Sequence, residues 1–121
     1  MNIEQLYEYC EQKKGVTEHF PFDNDTLVFK VLGKMFLLTS LKSWEEGKPA
    51  VNLKCDPVEA ENLRADYASI KPGYHMNKTH WNTVNLNQGD LNLDLVLKMI
   101  DNSYQLVFNS LPVKLRESLN K

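Results

Sequence analysis

The chain has 121 residues, a net charge of −2 at pH 7, and a composition of 42% hydrophobic and 25% charged residues, which is typical of a globular domain. This length fits one domain of about 100–200 residues, so we expect a single domain over residues 1–121. No apolar run approaches the roughly 18 residues of a transmembrane helix, and the first residues do not resemble a signal peptide. We therefore expect a cytoplasmic protein that makes no membrane contact.

The first part of the chain predicts a helix and a connector. An Asn-x-x-Gln capping box and apolar residues at helical spacing predict a helix over about 3–14. We interpret residues 16–25 as a connector, because the residue before a proline avoids helical angles. Its two aromatic residues, Phe20 and Phe22, are expected to be anchored in the core.

A β-hairpin is the strongest strand signal in the sequence. β-branched and aromatic residues over 26–32 and 35–39 flank Gly33, which suits a type II′ turn. Apolar side chains on both faces of these strands indicate that much of both sides of the sheet is covered. A polar loop is predicted over 42–49, and clean alternation over 50–54 predicts a third strand.

The second half predicts two more strands between helices. An Asp-Pro-x-Glu start predicts a helix over about 57–66. Short strands follow at 69–72 and 81–86, and helices at about 92–109 and 112–119. The predicted order is α-β-β-β-α-β-β-α-α, which indicates an α+β fold with a single twisted antiparallel β-sheet backed by helices.

The charges are segregated along the chain. Residues 27–54 carry a net charge of +3 and residues 70–85 carry +2, whereas the rest of the chain carries −7. Such asymmetry can focus a positive potential over one face of a folded domain. Lys30 and Lys34 flank the hairpin turn, where lysines either contact phosphates or protect a strand edge.

The densest polar and aromatic segment is residues 71–82, which contains no acidic residue. Lysine and histidine can contact phosphate, asparagine can bridge base edges, and tyrosine or tryptophan can stack on bases. The same groups would suit a small anion, or would simply hold the loop together. The candidate contacts in this segment are Lys71, Tyr74, His75, Asn77, Lys78, His80, Trp81 and Asn82.

The sequence gives little indication of catalysis or of a cofactor. His75 and His80 are five residues apart, which does not place them on one helix face, and no metal-binding spacing of Cys or His is present. Cys10 and Cys55 are isolated, and no G-x-S-x-G or phosphate-loop motif occurs. We therefore expect a non-enzymatic protein with no catalytic residue, metal or cofactor.

Four segments resemble the MmcQ/YjbR family of small bacterial proteins. They lie at 15–22 (GVTE and FPF), 28–36, 52–57 and 72–84, and the last, PGYHMNKTHWNTV, is the most specific. The resemblance covers essentially the whole chain and implies a CyaY-like α+β fold. It also implies DNA binding through a double-wing arrangement of the hairpin and the 71–82 loop.

The leading hypothesis is therefore a DNA-binding protein that contacts phosphates through Lys30, Lys34 and the 71–82 segment. With so few lysines, binding to double-stranded DNA would be weak and salt-sensitive. Two alternatives remain open: an adaptor that binds a protein or peptide at the sheet edge, and a site for a small anionic ligand at residues 74–82. All three depend on how the fold arranges these side chains.

Overall fold

The computed structural model describes residues 1–119, and the last two residues of the expected domain lie outside the described residues. No helix in this range combines the length and apolar character needed to cross a bilayer. The elements in chain order are α1 (Ile3–Glu11), β1 (Val16–His19), β2 (Thr26–Val31), β3 (Lys34–Ser40), α2 (Leu41–Glu45), β4 (Ala50–Lys54), α3 (Pro57–Asp66), β5 (Ile70–Pro72), β6 (Trp81–Asn85), α4 (Leu93–Asn109) and α5 (Val113–Ser118).

The strands form one antiparallel sheet in the order β1-β2-β3-β4-β6-β5. The long helix α4 packs across β2, β3 and β4. Its buried residues join those of α1 in a single core against one face of the sheet. The predicted α+β class, with one antiparallel sheet backed by helices, is confirmed. We call the opposite side of the sheet the open face.

The interpretation of residues 16–25 as a connector is wrong for its first part. Val16–His19 forms the edge strand β1, paired with β2. Helix α1 stops at Glu11, earlier than predicted, and Gly15 at φ +76° turns the chain into the strand. The four residues of β1 carry no strong pattern of their own, since only their pairing with β2 makes them a strand.

The predicted polar loop at 42–49 contains a short helix, α2. Ser40 caps it by accepting a hydrogen bond from the Ser43 backbone N–H, at 3.4 Å. Trp44 Nε1 donates to the buried Thr39 hydroxyl at 2.8 Å. Together with the Asp25 side-chain oxygen, which accepts from the Lys42 N–H at 2.8 Å, this bond explains a helix of only five residues, which would be marginal in isolation.

The two aromatic residues of the 20–25 loop are not in the core. Phe20 is 44% exposed and Phe22 is 64% exposed, so the expectation that they are anchored there is wrong. Asp23 organises this loop instead, because its carboxylate accepts hydrogen bonds from the backbone N–H groups of Asp25 (2.9 Å) and Thr26 (2.6 Å). The turn therefore holds without burial of either ring.

The core between the sheet and the helices is built around aromatic rings. Phe29 and Phe36 are fully buried. Phe29 meets Tyr7 of α1 edge to face at 5.6 Å, and Phe36 meets Tyr104 of α4 in the same way at 5.4 Å. Such aromatic pairs contribute more stability than the burial of their apolar surface alone would give, so these contacts hold both helices against the hairpin.

We expect Phe29→Ala to lower the free energy of unfolding by about 3–5 kcal/mol, because it leaves a cavity in a close-packed core. Chemical denaturation followed by circular dichroism measures this change. Val58→Ala is the control, since Val58 is 68% exposed and its replacement should change stability by less than about 0.5 kcal/mol. A loss for Phe29→Ala no larger than that of the control would contradict this packing.

Candidate functional site

The open face is crossed by one continuous row of side chains. The strand pairings place six residues side by side, one from each strand. Neighbouring strands lie about 4.8 Å apart, so the row spans roughly 24 Å. In sheet order the row is His19, Val28, Leu38, Asn52, Thr83 and Lys71. Its middle is apolar and amide-bearing, and a lysine stands at one end.

The loop between β5 and β6 folds over part of this face. It packs Met76 against a second, smaller apolar cluster of Val28, Leu38 and Trp81. Gly73 permits the fold, because an added Cβ would lie 2.8 Å from Trp81 Cβ and 2.9 Å from its carbonyl oxygen. A real side chain at residue 73 would thus push the loop off the sheet.

Several of the predicted contact residues hold this loop together. The Asn77 carbonyl accepts hydrogen bonds from the N–H groups of His80 (3.1 Å) and Trp81 (2.9 Å), and its side-chain oxygen accepts from Thr79 N–H at 3.0 Å. Trp81 is only 8% exposed and supports the loop from below. Asn77 and Trp81 therefore explain the shape of the loop.

Asn82 is 2% exposed and points to the helix side. Its side-chain oxygen accepts from Arg64 Nε at 2.7 Å, and its amide nitrogen donates to the Ala60 carbonyl at 3.4 Å. The side chain of Asn82 is therefore too buried to contact a nucleic-acid base, and the expectation that it does so is wrong. Arg64, which the sequence analysis did not single out, also donates to the Lys78 carbonyl at 2.7 Å and so anchors the loop to α3.

A β-bulge separates the lysines that the hairpin was expected to present together. The register of β2 and β3 shifts between Phe29 and Lys30, so one extra residue enters β3. A shift by one residue moves the following side chains to the other face of the sheet. Lys30 is on the open face beside Met35, whereas Lys34 Nζ donates at 2.9 Å to Oγ of Ser110, the C-cap residue of α4, on the helix side.

The remaining cations are spread along the open face and the loop. Lys71 lies beside Thr83, four strands from Lys30, or roughly 19 Å away. Lys78 and His80 are exposed in the loop, and Lys78 Nζ is 3.4 Å from the Gly73 carbonyl. The expected single patch of lysines is thus not formed; the structure has an extended row of separate cations instead.

Acidic groups are nearly absent from the strands. The strands carry four lysines but only one acid, Glu18. Glu18 is paired with Phe29, whose ring lies in the core on the helix side, so the carboxyl of Glu18 is on that side as well. Desolvation and the neighbouring Glu11 carboxyl raise its pKa. The described helices carry ten Asp or Glu residues against five Lys or Arg. The open face therefore has the more positive side chains.

Two aspartates at the edge of the open face are already engaged. Asp23 caps its own loop, as described above. Asp25 accepts from Ser40 Oγ at 2.6 Å and from Lys42 N–H at 2.8 Å. Hydrogen bonds from the Thr26 and Asp25 N–H groups lower the pKa of Asp23, so its carboxylate stays negatively charged at neutral pH.

Tyr74 and His75 form an exposed pair at the tip of the loop. Tyr74 is 70% exposed, and its ring centroid lies 4.0 Å from that of His75. His75 adopts φ +59°, a left-handed conformation that costs free energy for a residue other than glycine. The loop therefore presents two rings in a fixed arrangement.

An open cleft lies between this loop and the sheet, with a volume of about 680 Å³. Met35, Leu38 and Met76 supply apolar surface, and Phe22 and Tyr74 stand at the edge. This size falls within the range of about 300–1,000 Å³ that is common for ligand sites. Asp23 also lines the cleft and brings a carboxylate to its margin.

Neither cysteine has the environment of a nucleophile. Burial raises the pKa of the Cys10 thiol to about 12 and that of Cys55 to about 11, where nearby Glu59 and Asp56 add to the effect. The thiolate is the reactive form, so both groups are poorly reactive at neutral pH. Within residues 1–119, no three His, Cys, Asp or Glu side chains converge as metal ligands.

The thiol environments predict slow alkylation. At pH 8 we expect Cys55 to react with iodoacetamide roughly 100-fold more slowly than an unperturbed cysteine, because each pKa unit lowers the thiolate fraction about tenfold. Mass spectrometry over time measures the rate, with the unfolded protein in denaturant as control. Modification of native Cys55 at the denatured rate would contradict the assignment.

The Arg64 anchor predicts a measurable loss of order in the loop. Arg64→Met keeps the apolar stem but leaves Asn82 Oδ1 and the Lys78 carbonyl without their donor, which should cost about 1–3 kcal/mol. Amide hydrogen exchange at 78–82 should accelerate. Arg116→Met is the matched control, because Arg116 Nε has no hydrogen-bond partner in the described part of the chain. Equal effects of the two substitutions would exclude the anchor.

Comparison with known proteins agrees with this architecture. A family model described as YjbR matches residues 11–106. The Escherichia coli K12 protein YjbR is 35% identical over 119 residues, which is 98% of both chains, and YbdF of Escherichia coli O157:H7 is 40% identical over 92 residues, 76% of this chain and 72% of YbdF. Both relatives are named as uncharacterized proteins.

A solved structure extends the agreement to the fold. The crystal structure of a Deinococcus radiodurans protein with a DUF419 domain superposes with a TM-score of 0.86 at 37% identity, covering 98% of this chain and 88% of that chain. The resemblance drawn from the sequence motifs is confirmed by the family match over most of the chain. By sequence and by fold, the chain belongs to the YjbR family.

Proposed function

We propose that this protein binds DNA without catalysing a reaction, and that the open face of the sheet is its contact surface. The observation that carries the proposal is the distribution of charge. Lys30, Lys54 and Lys71 occupy open-face positions by strand alternation, and no strand acid shares that face. Lysines that neutralise phosphates supply most of the affinity of such a surface.

The loop residues on this surface suit the same ligand. Tyr74 and His75 present exposed rings, and Lys78 and His80 are exposed nearby in sequence. The widely spaced cations fit an extended polyanion better than one small anion, because Lys30 and Lys71 are too far apart to hold a single phosphate. A DNA-binding role would place the protein in the cytoplasm, where its two free thiols would stay reduced.

A peptide-binding role at the sheet edge has less support. At one edge, β5 has three residues and ends in Pro72, which lacks the N–H that an added strand would need. At the other edge, β1 has only four residues, and its exposed positions include Glu18 and His19. Short edges with proline and charge are features that prevent strand addition.

If the open face binds DNA, replacing lysines on that face should weaken binding more than an equal change in net charge on the helix side. We expect a labelled 20-base-pair duplex, or one of its separated strands, to bind at ~50 mM salt. Binding of the duplex should weaken about 40–150-fold by ~200 mM, as three or four phosphate contacts require. Lys30→Glu/Lys71→Glu should lower the affinity at least about tenfold and reduce the salt slope by about two. Fluorescence anisotropy measures both quantities.

The matched control is Lys34→Glu/Lys98→Glu, which makes the same change in net charge on the helix side. We expect this variant to stay within about threefold of the wild type at ~50 mM salt, since the altered charges lie on the far side of a domain wider than the roughly 14 Å Debye length. Equal losses in the two variants, or no binding of either form of DNA by the wild type, would refute the proposal.

A further inference from the structure

We propose that the cleft on the open face accepts one unpaired base, so that the protein prefers single-stranded DNA to duplex DNA. This inference rests on the proposed function and specifies its ligand. It is carried by three features of the cleft: its aromatic edge, a fixed amide donor on its floor, and the lysines beside it.

The aromatic edge comes from two loops that enter the cleft from opposite ends of the strands. Phe22 precedes β2, whereas Tyr74 precedes β6, which begins at the other end of the antiparallel sheet. Both rings are largely exposed. Exposed rings at the edge of an open cleft can serve as stacking platforms for unpaired bases, and they tolerate any base because every base has an aromatic face.

The floor of the cleft suits a flat ring of variable size. Met35 and Met76 lie beside the buried Leu38, and methionine side chains adapt to irregular shapes and make favourable contacts with aromatic rings. A charged phosphate would lose hydration on this apolar floor without gaining a polar partner. The floor therefore indicates that the anionic part of the ligand stays at the margin while an uncharged ring enters.

A hydrogen-bonded chain orients the amide of Asn52 on this floor. Tyr74 N–H donates to Thr83 Oγ1 at 2.9 Å, and the Thr83 hydroxyl donates to Asn52 Oδ1 at 2.6 Å. The hydroxyl hydrogen is thereby committed to Asn52 Oδ1. The Asn52 Nδ2 group has no acceptor among the described residues, so it remains a donor for the acceptor atoms on the edge of a base.

The lysines lie where the backbone of such a strand would pass. Lys71 is the neighbour of Thr83 in the row, and Lys30 is the neighbour of Met35. They lie on two sides of the cleft without lining it, so a strand with one base in the cleft can extend to either cation. In a duplex the bases are paired and stacked, and extracting one costs free energy, which is why the unpaired form is preferred.

The test compares a 15-nucleotide oligo-dT with a 15-base-pair duplex by fluorescence anisotropy at ~50 mM salt. We expect at least about tenfold tighter binding of the single strand. Tyr74→Ala should weaken single-strand binding at least about fivefold and leave duplex binding unchanged, in line with the loss of one stacked base. Tyr74→Phe should bind like the wild type, because it retains the ring.

The control is Leu93→Ala, an exposed apolar residue on α4, which should change neither affinity. Tyr74 is exposed, so its replacement leaves the core intact. Duplex bound as tightly as oligo-dT, or Tyr74→Ala without effect on oligo-dT, would overturn this inference while leaving the proposed DNA binding in place. Failure of both probes to bind the wild type would overturn both.

Discussion

The close approach between Gly73 and Trp81 determines the shape of the open face. The Gly73 N–H donates to the Trp81 carbonyl at 2.8 Å, and no side chain fits between the two backbones. The loop is thereby held down on Val28 and Leu38, whose exposure to water would otherwise be unfavourable. Because the loop covers only this part of the sheet, an open cleft is left beside it. Arg64 fixes the other side of the same loop, so both the cover and the cleft depend on a small number of contacts.

Much of the fold could be predicted from local patterns, because those patterns have local causes. The hairpin strands, the Asp56-Pro57 helix start and the long periodic helix α4 follow from β propensity, capping and amphipathic spacing. The predicted type II′ turn is wrong: Leu32 (φ 50°) and Gly33 (φ 89°) are the two central residues and both have positive φ, as in a type I′ turn with glycine in the second position. The strand β1 and the helix α2 could not, since one depends on pairing with β2 and the other on the Trp44 anchor. The exposed positions of Phe20 and Phe22 were missed because burial is a property of the whole fold, and aromatic residues are only more often buried than others.

The site was harder to predict, and Lys34 shows why. In a regular hairpin, Lys30 and Lys34 would share a face with the loop, as the sequence analysis assumed. One bulge residue in β3 moves the β3 side chains between the bulge and the turn to the opposite face of the sheet. No residue type in the sequence predicts where such a bulge occurs. Arg64 is a similar case, since an arginine in the last turn of a short helix is ordinarily explained by the helix dipole, and its two hydrogen bonds to the 78–82 region depend on the tertiary structure.

The predicted contact residues divide into two groups with different physical roles. Trp81 and Asn82 are buried, and Asn77, although exposed, accepts hydrogen bonds within the loop through its carbonyl and side-chain oxygens, so these three residues give the loop its form. Lys71, Tyr74 and His75 remain exposed, and His75 keeps a costly left-handed backbone conformation with its ring beside that of Tyr74. A strained residue persists only where its surroundings impose the conformation, and here they are the loop built by the first group. The most specific segment of the sequence therefore encodes a rigid support and the exposed groups that it carries, and any ligand of the open face would be recognised by the second group in the geometry set by the first.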